Sequence, residues 1–358
     1  MPFDVRQFPA GVQAAERNRR VVGGWLLSVA GMVFGMVVLG GATRLTGSGL
    51  SIMEWAPIMG ALPPLSEAEW QRLFHLYQQI PQYALLHDGF GLAGFKHIFW
   101  LEWTHRLWGR LLGVMFLVPL AVLWARGAIE RRLVPRLVLL FALGGLQGAV
   151  GWFMVASGFL PDSVAVSAYR LVVHLVLALV LYAALIWTGL TVLQPVAAAV
   201  PAPRRLLIAS ALLVALTIIA GGFTAGLHAG YIYNTFPLME GRLLPPSYVE
   251  LDPFWRNLTE NLAAVQFDHR LLATLTAATV LVTVVVGLWQ RPAAGLRRAL
   301  LALAAVVAVQ YALGVTTLLF VVPVALATAH QAVAVLLLTA ILVALHHARP
   351  LARTRNAA

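Results

Sequence analysis

Long, uninterrupted runs of apolar residues dominate this sequence, and the polar residues are gathered between them. Eight of these runs are long enough to cross a bilayer as a helix, which takes about 20 residues. The predicted spans are 21–42, 99–125, 134–156, 167–193, 206–226, 264–289, 297–319 and 323–346. Charged residues make up only 11% of the chain, against about 25% in soluble domains. The pattern therefore predicts an all-α integral membrane protein with eight transmembrane helices.

The basic residues predict how these helices are oriented. If the N-terminus lies inside, the inner segments contain 16 of the 25 Lys and Arg residues and three of the 14 acids. This distribution obeys the positive-inside rule, so we expect both termini to lie in the cytoplasm. The net charge of +11 then faces anionic membrane lipid and does not indicate nucleic acid. Two long outer segments, 43–98 and 227–263, have the length of lids or docking surfaces.

The second half of the chain repeats the first. Four features recur in the same order: Gly-Gly-x-Thr at 40–43 and 221–224, His-Arg-Leu at 105–107 and 269–271, Gln-x-x-x-Gly at 147–151 and 310–314, and a histidine at 174 and 330. Four helices per repeat is an even number, so both repeats run the same way through the membrane. We expect two pseudo-symmetric four-helix bundles, formed by residues 1–200 and 201–358.

Four of the ten histidines lie inside predicted spans, namely His105, His174, His269 and His330. All four fall near the outer ends of their helices, so the two in each half can face each other across a bundle core. This is the geometry of bis-histidine haem ligation. A lone membrane histidine often only bonds a neighbouring helix, but four in matched positions favour haem or a metal. Zinc is the weaker alternative, because nothing supplies a third and fourth ligand.

The two halves differ three residues before the first histidine of each pair. Glu102 precedes His105, whereas Gln266 precedes His269. Residues three apart share a helix face, and a carboxylate beside a haem pocket can transfer protons or stabilise positive charge. We therefore hypothesise that the first half performs chemistry and the second holds a haem for electron transfer. The alternative is that Glu102 only forms an ion pair with Arg106 one turn later.

Arginines near the outer helix ends are candidates for binding haem propionates, because the guanidinium fork matches a carboxylate. They are Arg44, Arg106, Arg110, Arg170 and Arg270. Ordinary interfacial snorkelling is an equal alternative for each one alone. The double glycines at 40–41 and 221–222 allow close approach of a porphyrin or, more simply, close helix packing. Because the chain has no cysteine, disulfides and thiolate-ligated haem are excluded.

Several longer motifs in the first half resemble haem A synthases. They are GGATRLTGSGLS at 40–51, WAP at 55–57 with Gly60 and PP at 63–64, YQQIP at 77–81, FKxIFW at 95–100 and EWxHRxxGR at 102–110. The resemblance runs through both halves to His330 and covers nearly the whole chain. Many bacterial members carry a cysteine pair in the first outer loop. This chain lacks it, so it resembles the cysteine-free branch with proteobacterial and mitochondrial members.

The resemblance implies an oxidoreductase that converts haem O to haem A, by successive hydroxylations of the C8 methyl to a formyl group, for terminal oxidase maturation. It implies that substrate haem O is ligated by His105 and His174, with Glu102 essential nearby, and that His269 and His330 ligate a resident haem b. It also implies proximity to haem O synthase, which makes the substrate. The electron donor, the oxygen source and any homo-oligomer stay open.

Two other functions compete with this interpretation. A di-haem b-type protein that only transfers electrons would need the same four histidines, and two haems at one depth would suit transfer along the outer side. The difference between Glu102 and Gln266 favours an enzyme instead. A transporter built from repeats would contain broken helices at mid-membrane, and the apolar runs show none convincingly.

Overall fold

The computed structural model of the chain describes residues 9–161, 163–194 and 202–349. Within them, eight helices are long and apolar enough to cross a membrane, as predicted. They are α1 (Ala10–Leu45), α2 (Leu92–Ala125), α3 (Val134–Ala156), α4 (Ala168–Leu193), α5 (Arg204–Gly226), α6 (Leu262–Trp289), α7 (Ala294–Leu319) and α8 (Val324–His347). The predicted boundary between the halves at 200/201 lies outside the described residues, as do Arg6, Arg353 and Arg355, which contribute to the predicted orientation.

Helix α2 begins seven residues before the predicted start at 99. Its 34 residues span about 50 Å at 1.5 Å per residue, well beyond a hydrocarbon core of about 30 Å. The added turns contain Lys96 and His97, whose polarity hides them from a search for apolar runs. They also contain the buried side chains of Phe95 and Ile98, which pack against the loop that precedes the helix.

That first long loop, residues 46–91, is an ordered cap. It contains two short helices, Glu67–Tyr77 and Pro81–Leu86. The first begins where the Ser66 hydroxyl accepts a hydrogen bond from the backbone N–H of Glu69, the usual way to satisfy an unpaired N–H at a helix start. Trp70 packs edge-on to Phe99 of α2, with ring centroids 4.8 Å apart. We call the end of the molecule that carries this loop and the loop between α5 and α6 the loop face.

Small polar side chains hold the helices together, since apolar burial gives little drive for association inside a bilayer. Helix α4 packs on α8, where the Tyr182 and Thr339 hydroxyls lie 2.7 Å apart. Helices α1 and α8 also pack together, as do α4 and α5. The first four helices and the last four therefore share one interface, an arrangement consistent with two related bundles.

Candidate haem sites

The structure brings the second-half histidines together. His269 of α6 and His330 of α8 face each other with ring centroids 6.4 Å apart and ring planes at 85°. A metal–imidazole bond is about 2 Å long, so two imidazoles on one metal place their ring centroids about 6 Å apart. The His269 Nδ1 lies 3.1 Å from the Thr217 carbonyl oxygen, a bond that fixes the ring and leaves Nε2 free as a ligand. The pair therefore fits axial ligation of a haem iron.

The first-half histidines also share one site. His105 of α2 and His174 of α4 lie near enough to interact electrostatically. The Gln147 side-chain nitrogen, on α3, lies 3.1 Å from the His174 Nδ1. Zinc finds no support, because among the described residues no group of three or more His, Cys, Asp or Glu could hold a metal ion.

Each of the four histidines lies against a glycine of a neighbouring helix. The pairs are Gly40 with His105, Gly151 with His174, Gly221 with His269 and Gly314 with His330. A Cβ added at three of these glycines would lie 2.8–2.9 Å from the imidazole Cε1 carbon, and one added at Gly40 would lie 3.1 Å from the His105 Nε2. These distances leave no room for a larger residue. The glycines form cradles that keep space for four imidazoles in repeat-equivalent positions.

The second glycine of each doublet lies against a residue of the other half, not against a histidine. A Cβ at Gly41 would strike the side chain of Gln331, and one at Gly222 would lie 3.0 Å from Val172. Gln331 is next to His330, and its side-chain nitrogen donates a 2.7 Å hydrogen bond to the Val37 carbonyl oxygen of α1. The first glycine of each doublet therefore contacts a candidate ligand histidine, and the second packs against the other half. Close helix packing is thus formed, and close approach of a porphyrin stays a prediction.

Glu102 is buried and fully bonded. Its Oε2 accepts hydrogen bonds from the Ser51 hydroxyl at 2.7 Å and the Ile52 backbone N–H at 2.9 Å. Its Oε1 accepts two from the Arg106 guanidinium, at 3.0 and 2.6 Å. The ion pair offered as the alternative interpretation of Glu102 is thus formed. The same carboxylate also anchors the loop to α2, a contact that sequence reasoning missed although Ser51 ends the first family-like motif.

The second half anchors its loop at the equivalent position, but here the helix side chain donates the hydrogen bonds and the loop accepts them. The Gln266 side-chain nitrogen donates to the carbonyl oxygens of Ala229, at 2.8 Å, and Ile232. Its Oε1 accepts a 3.0 Å hydrogen bond from Arg270. An amide serves here because the loop presents acceptors, whereas the first loop presents donors to a carboxylate. The replacement of Glu by Gln therefore changes both the charge beside the histidine and the chemistry of loop attachment.

The candidate propionate ligands are largely occupied by loop carbonyls. Arg106 donates to the Ile52 and Glu54 carbonyl oxygens, Arg110 to those of Ala56 and Pro57, and Arg270 to those of Tyr233 and Thr235. Arg170 donates to the Phe153 carbonyl and stacks on its ring. Within the described residues, the Arg44 Nη2, the Arg110 Nη1 and the Arg270 Nε are buried without a hydrogen-bond partner. Propionate binding at Arg106, Arg110 and Arg270 stays a prediction.

A second ionisable pair lies in the loop above the first site. The Tyr77 hydroxyl is within hydrogen-bond distance of the His87 Nδ1 and of the Gln82 side-chain oxygen, at 3.1 Å. Gln82 in turn donates to the Gly47 carbonyl oxygen. Burial, with a smaller contribution from the negative charge of Glu102, raises the pKa of Tyr77. Tyr77 therefore keeps its proton and acts as a structural donor.

Comparison with known proteins places this architecture in a family. A family model described as "Cytochrome oxidase assembly protein" matches residues 23–342. The "Heme A synthase" of Granulibacter bethesdensis is 60% identical over 348 residues, 96% of this chain and 92% of that protein. The protein of the same name from Rhodospirillum centenum is 49% identical over 97% of this chain and 94% of its own length. "Heme A synthase 2" of Acidiphilium cryptum is 48% identical, covering 91% of each. The chain therefore belongs to the haem A synthase family of cytochrome oxidase assembly proteins.

Proposed function

We propose that this chain is a haem A synthase, an oxidoreductase that converts the C8 methyl group of haem O to a formyl group. Family membership carries this proposal, since the match covers nearly the whole chain. The facing His269–His330 pair and the neighbouring His105 and His174 support it from geometry. One pair is enough for a resident cofactor, and the other gives a second haem a place as substrate.

The His269–His330 pair would hold the resident haem b. Its ring spacing would let both imidazoles ligate one iron, and the Thr217 carbonyl holds the His269 ring in place. A bound haem supplies one-electron redox chemistry. The chain's own contribution is to fix both imidazoles, keep glycine cradles behind them and surround them with apolar helices that exclude water.

The His105–His174 pair would hold haem O. In this proposal Glu102 has two roles. Two of its four hydrogen bonds fix loop residues 51 and 52 above the site, and its negative charge stands one helical turn from His105. A fixed carboxylate stabilises positive charge that develops on a substrate nearby. Gln266 supplies the anchor without the charge, which agrees with a second half that binds haem but does not transform its substituents.

The distribution of arginines supports an orientation in the bacterial inner membrane with both termini in the cytoplasm. The loop face then lies on the outer side, so both haem sites open near the outer surface. Haem O synthase is the proposed neighbour, because it would deliver a substrate that is insoluble in water.

The function is tested by expressing the chain with a source of haem O and analysing the extracted haems by chromatography and mass. Haem A is expected from the wild type. The His105→Ala variant should lose haem A and retain a b-type spectrum, whereas His269→Ala should lose the b-type spectrum. Unchanged haem O with two tightly bound b haems would instead identify a di-haem electron-transfer protein and refute the proposal.

A further inference from the structure

The two halves differ in how closely their second and third helices pack against each other. Helices α6 and α7 pack along one another, whereas their equivalents α2 and α3 make far fewer close approaches. Open space lies beside α3: a Cβ added at Gly144 or Gly148 would have no atom of another residue within 4 Å. Gly148 precedes Gly151, the cradle of His174, by one turn. The open surface at Gly148 therefore lies one helical turn from the position that contacts His174.

In the second half, specific side chains fill the equivalent opening. The repeat aligns Gly148 with Tyr311 and Arg110 with Thr274. The hydroxyls of Tyr311 and Thr274 lie 3.0 Å apart and join α7 to α6. Phe236 of the second loop packs edge-on to the Tyr311 ring, with centroids 6.3 Å apart. Tyr311 therefore seals the gap that Gly148 leaves open.

A segment of the first loop, residues 52–62, covers the open gap. It runs inward along α2, because Arg106 bonds the carbonyl oxygen of Ile52 and Arg110, one turn deeper, bonds that of Pro57 at 2.8 Å. Irregular backbone at membrane depth needs partners for its polar groups, and the two arginines supply them. The side chains of Ile58 and Met59 are 82% and 74% exposed, which suits contact with lipid.

Two tryptophans connect this segment to α3. The rings of Trp55 in the segment and Trp152 in α3 lie 6.0 Å apart, and both side chains are about half exposed. The Ile52–Glu102 hydrogen bond and the Arg72–Glu54 ion pair fix the start of the segment. Beyond Glu54, guanidinium–carbonyl hydrogen bonds from Arg110 and one ring contact hold the segment over the gap. Such contacts can separate without breaking the packing of any helix.

We propose that the gap between α2 and α3, covered by residues 52–62 and the Trp55–Trp152 contact, is a lateral portal through which haem O reaches His105 and His174 from the bilayer. This rests on the proposed function. The occupant follows from chemistry: haem O carries a long isoprenoid chain and is dissolved in lipid, and the portal is apolar, faces lipid and ends at a histidine pair. A substrate must enter and leave on every turnover, whereas a resident cofactor is best retained behind a seal such as Tyr311.

The absence of cysteine makes a clean test possible. In Gly148→Cys, a benzyl methanethiosulfonate reagent would modify only the portal, and a reductant would remove the group. The matched control is Gly31→Cys, an exposed position on α1 that also has no atom within 4 Å of an added Cβ. The purified protein is mixed with phosphatidylcholine–phosphatidylglycerol vesicles that contain haem O, and haem uptake is followed by the Soret band.

We expect the modified Gly148→Cys protein to take up haem O at least tenfold more slowly than before modification, with the rate restored by the reductant, while modified Gly31→Cys is unaffected. Uptake by modified Gly148→Cys at the wild-type rate, or equal slowing of the control, would overturn the portal. A second variant, Tyr311→Gly, should let the resident haem exchange with added haem, and retention as tight as in the wild type would overturn the seal. Wild-type protein that binds haem O but never oxidises it would refute the proposed function, while the uptake rates would still decide the portal.

Discussion

Replacing Glu102 by Gln separates an anchoring role from a chemical one. The carboxylate accepts four hydrogen bonds, two on each oxygen. An amide retains one oxygen and presents an NH2 group where the other stood. That NH2 group must face either the Arg106 guanidinium or the Ser51 hydroxyl and the Ile52 N–H. The hydroxyl can rotate to accept, but the guanidinium and the backbone N–H only donate. The amide therefore loses the Ile52 contact in one orientation and both Arg106 contacts in the other.

The size of the effect follows from burial. The side chain of Glu102 is 3% exposed and that of Arg106 18%, so solvent screens this pair less than a surface one. A hydrogen bond to a charged group contributes about 1.5–3 kcal/mol, and breaking a buried ion pair costs about 3–5 kcal/mol. We therefore expect the anchored loop to be destabilised by about 3 kcal/mol, roughly a hundredfold rise in the population of the detached loop.

Hydrogen–deuterium exchange of the peptide that contains Ile52 measures this population, because its amide proton is bonded to the carboxylate. Exchange should accelerate about a hundredfold in Glu102→Gln, with peptides of α6 unchanged. Gln266→Glu is the matched control: it should loosen the second loop at Ala229 and leave Ile52 protected. If Glu102→Gln abolishes haem A formation while exchange at Ile52 is unaltered, the anchoring argument is refuted and the charge itself performs the chemistry.

Two further predictions follow from other contacts. Gly314→Ala would place a Cβ 2.9 Å from the His330 ring, an overpacking that costs about 1–3 kcal/mol. It should lower the haem-to-protein ratio or shift the b-type spectrum. The control Gly113→Ala, whose added Cβ has no atom within 4 Å, should change neither. Burial lowers the pKa of His87 from its ordinary 6.5, so the unfolded loop binds a proton more readily and loop stability falls as the pH drops below about 6.5. Limited proteolysis of the first loop should be faster at pH 5 than at pH 7.5, and His87→Gln should remove most of the difference; equal rates in the wild type would contradict this.

The sequence predicts the helices well because apolar run length reports directly on the cost of leaving backbone polar groups unpaired in lipid. All eight spans are found, and six begin within three residues of the prediction. The starts of α1 and α2 are missed because Arg17, Arg19 and Lys96 interrupt the hydropathy while the helix continues outside the apolar region. The two short helices of the first loop are missed as well, because their hydrophobic core forms only against the extension of α2.

The candidate site is only partly encoded in local pattern. Spacing places Glu102 beside Arg106 and predicts their pair, because residues four apart meet on a helix. It cannot show that Ser51 and Ile52 complete the carboxylate's partners, since those residues approach from a loop about 50 positions away. Likewise, the Gly-Gly doublets are visible in the sequence, but only the packed helices show that Gly40 and Gly221 face imidazoles while Gly41 and Gly222 face the other half.

In the proposed function, the two halves use similar sets of candidate haem ligands, one for a cofactor and one for a substrate. Both present two imidazoles backed by glycine, and both anchor a loop through residues four apart on their second helix. The differences lie in the residues that surround the histidines. Tyr311 seals one site where Gly148 leaves the other open, and Gln266 is neutral where Glu102 is charged. An open site allows haem to exchange, and a charged residue stabilises charge that develops on the substrate. In the proposed function, these two changes separate a substrate site from a cofactor site while all four histidines stay in place.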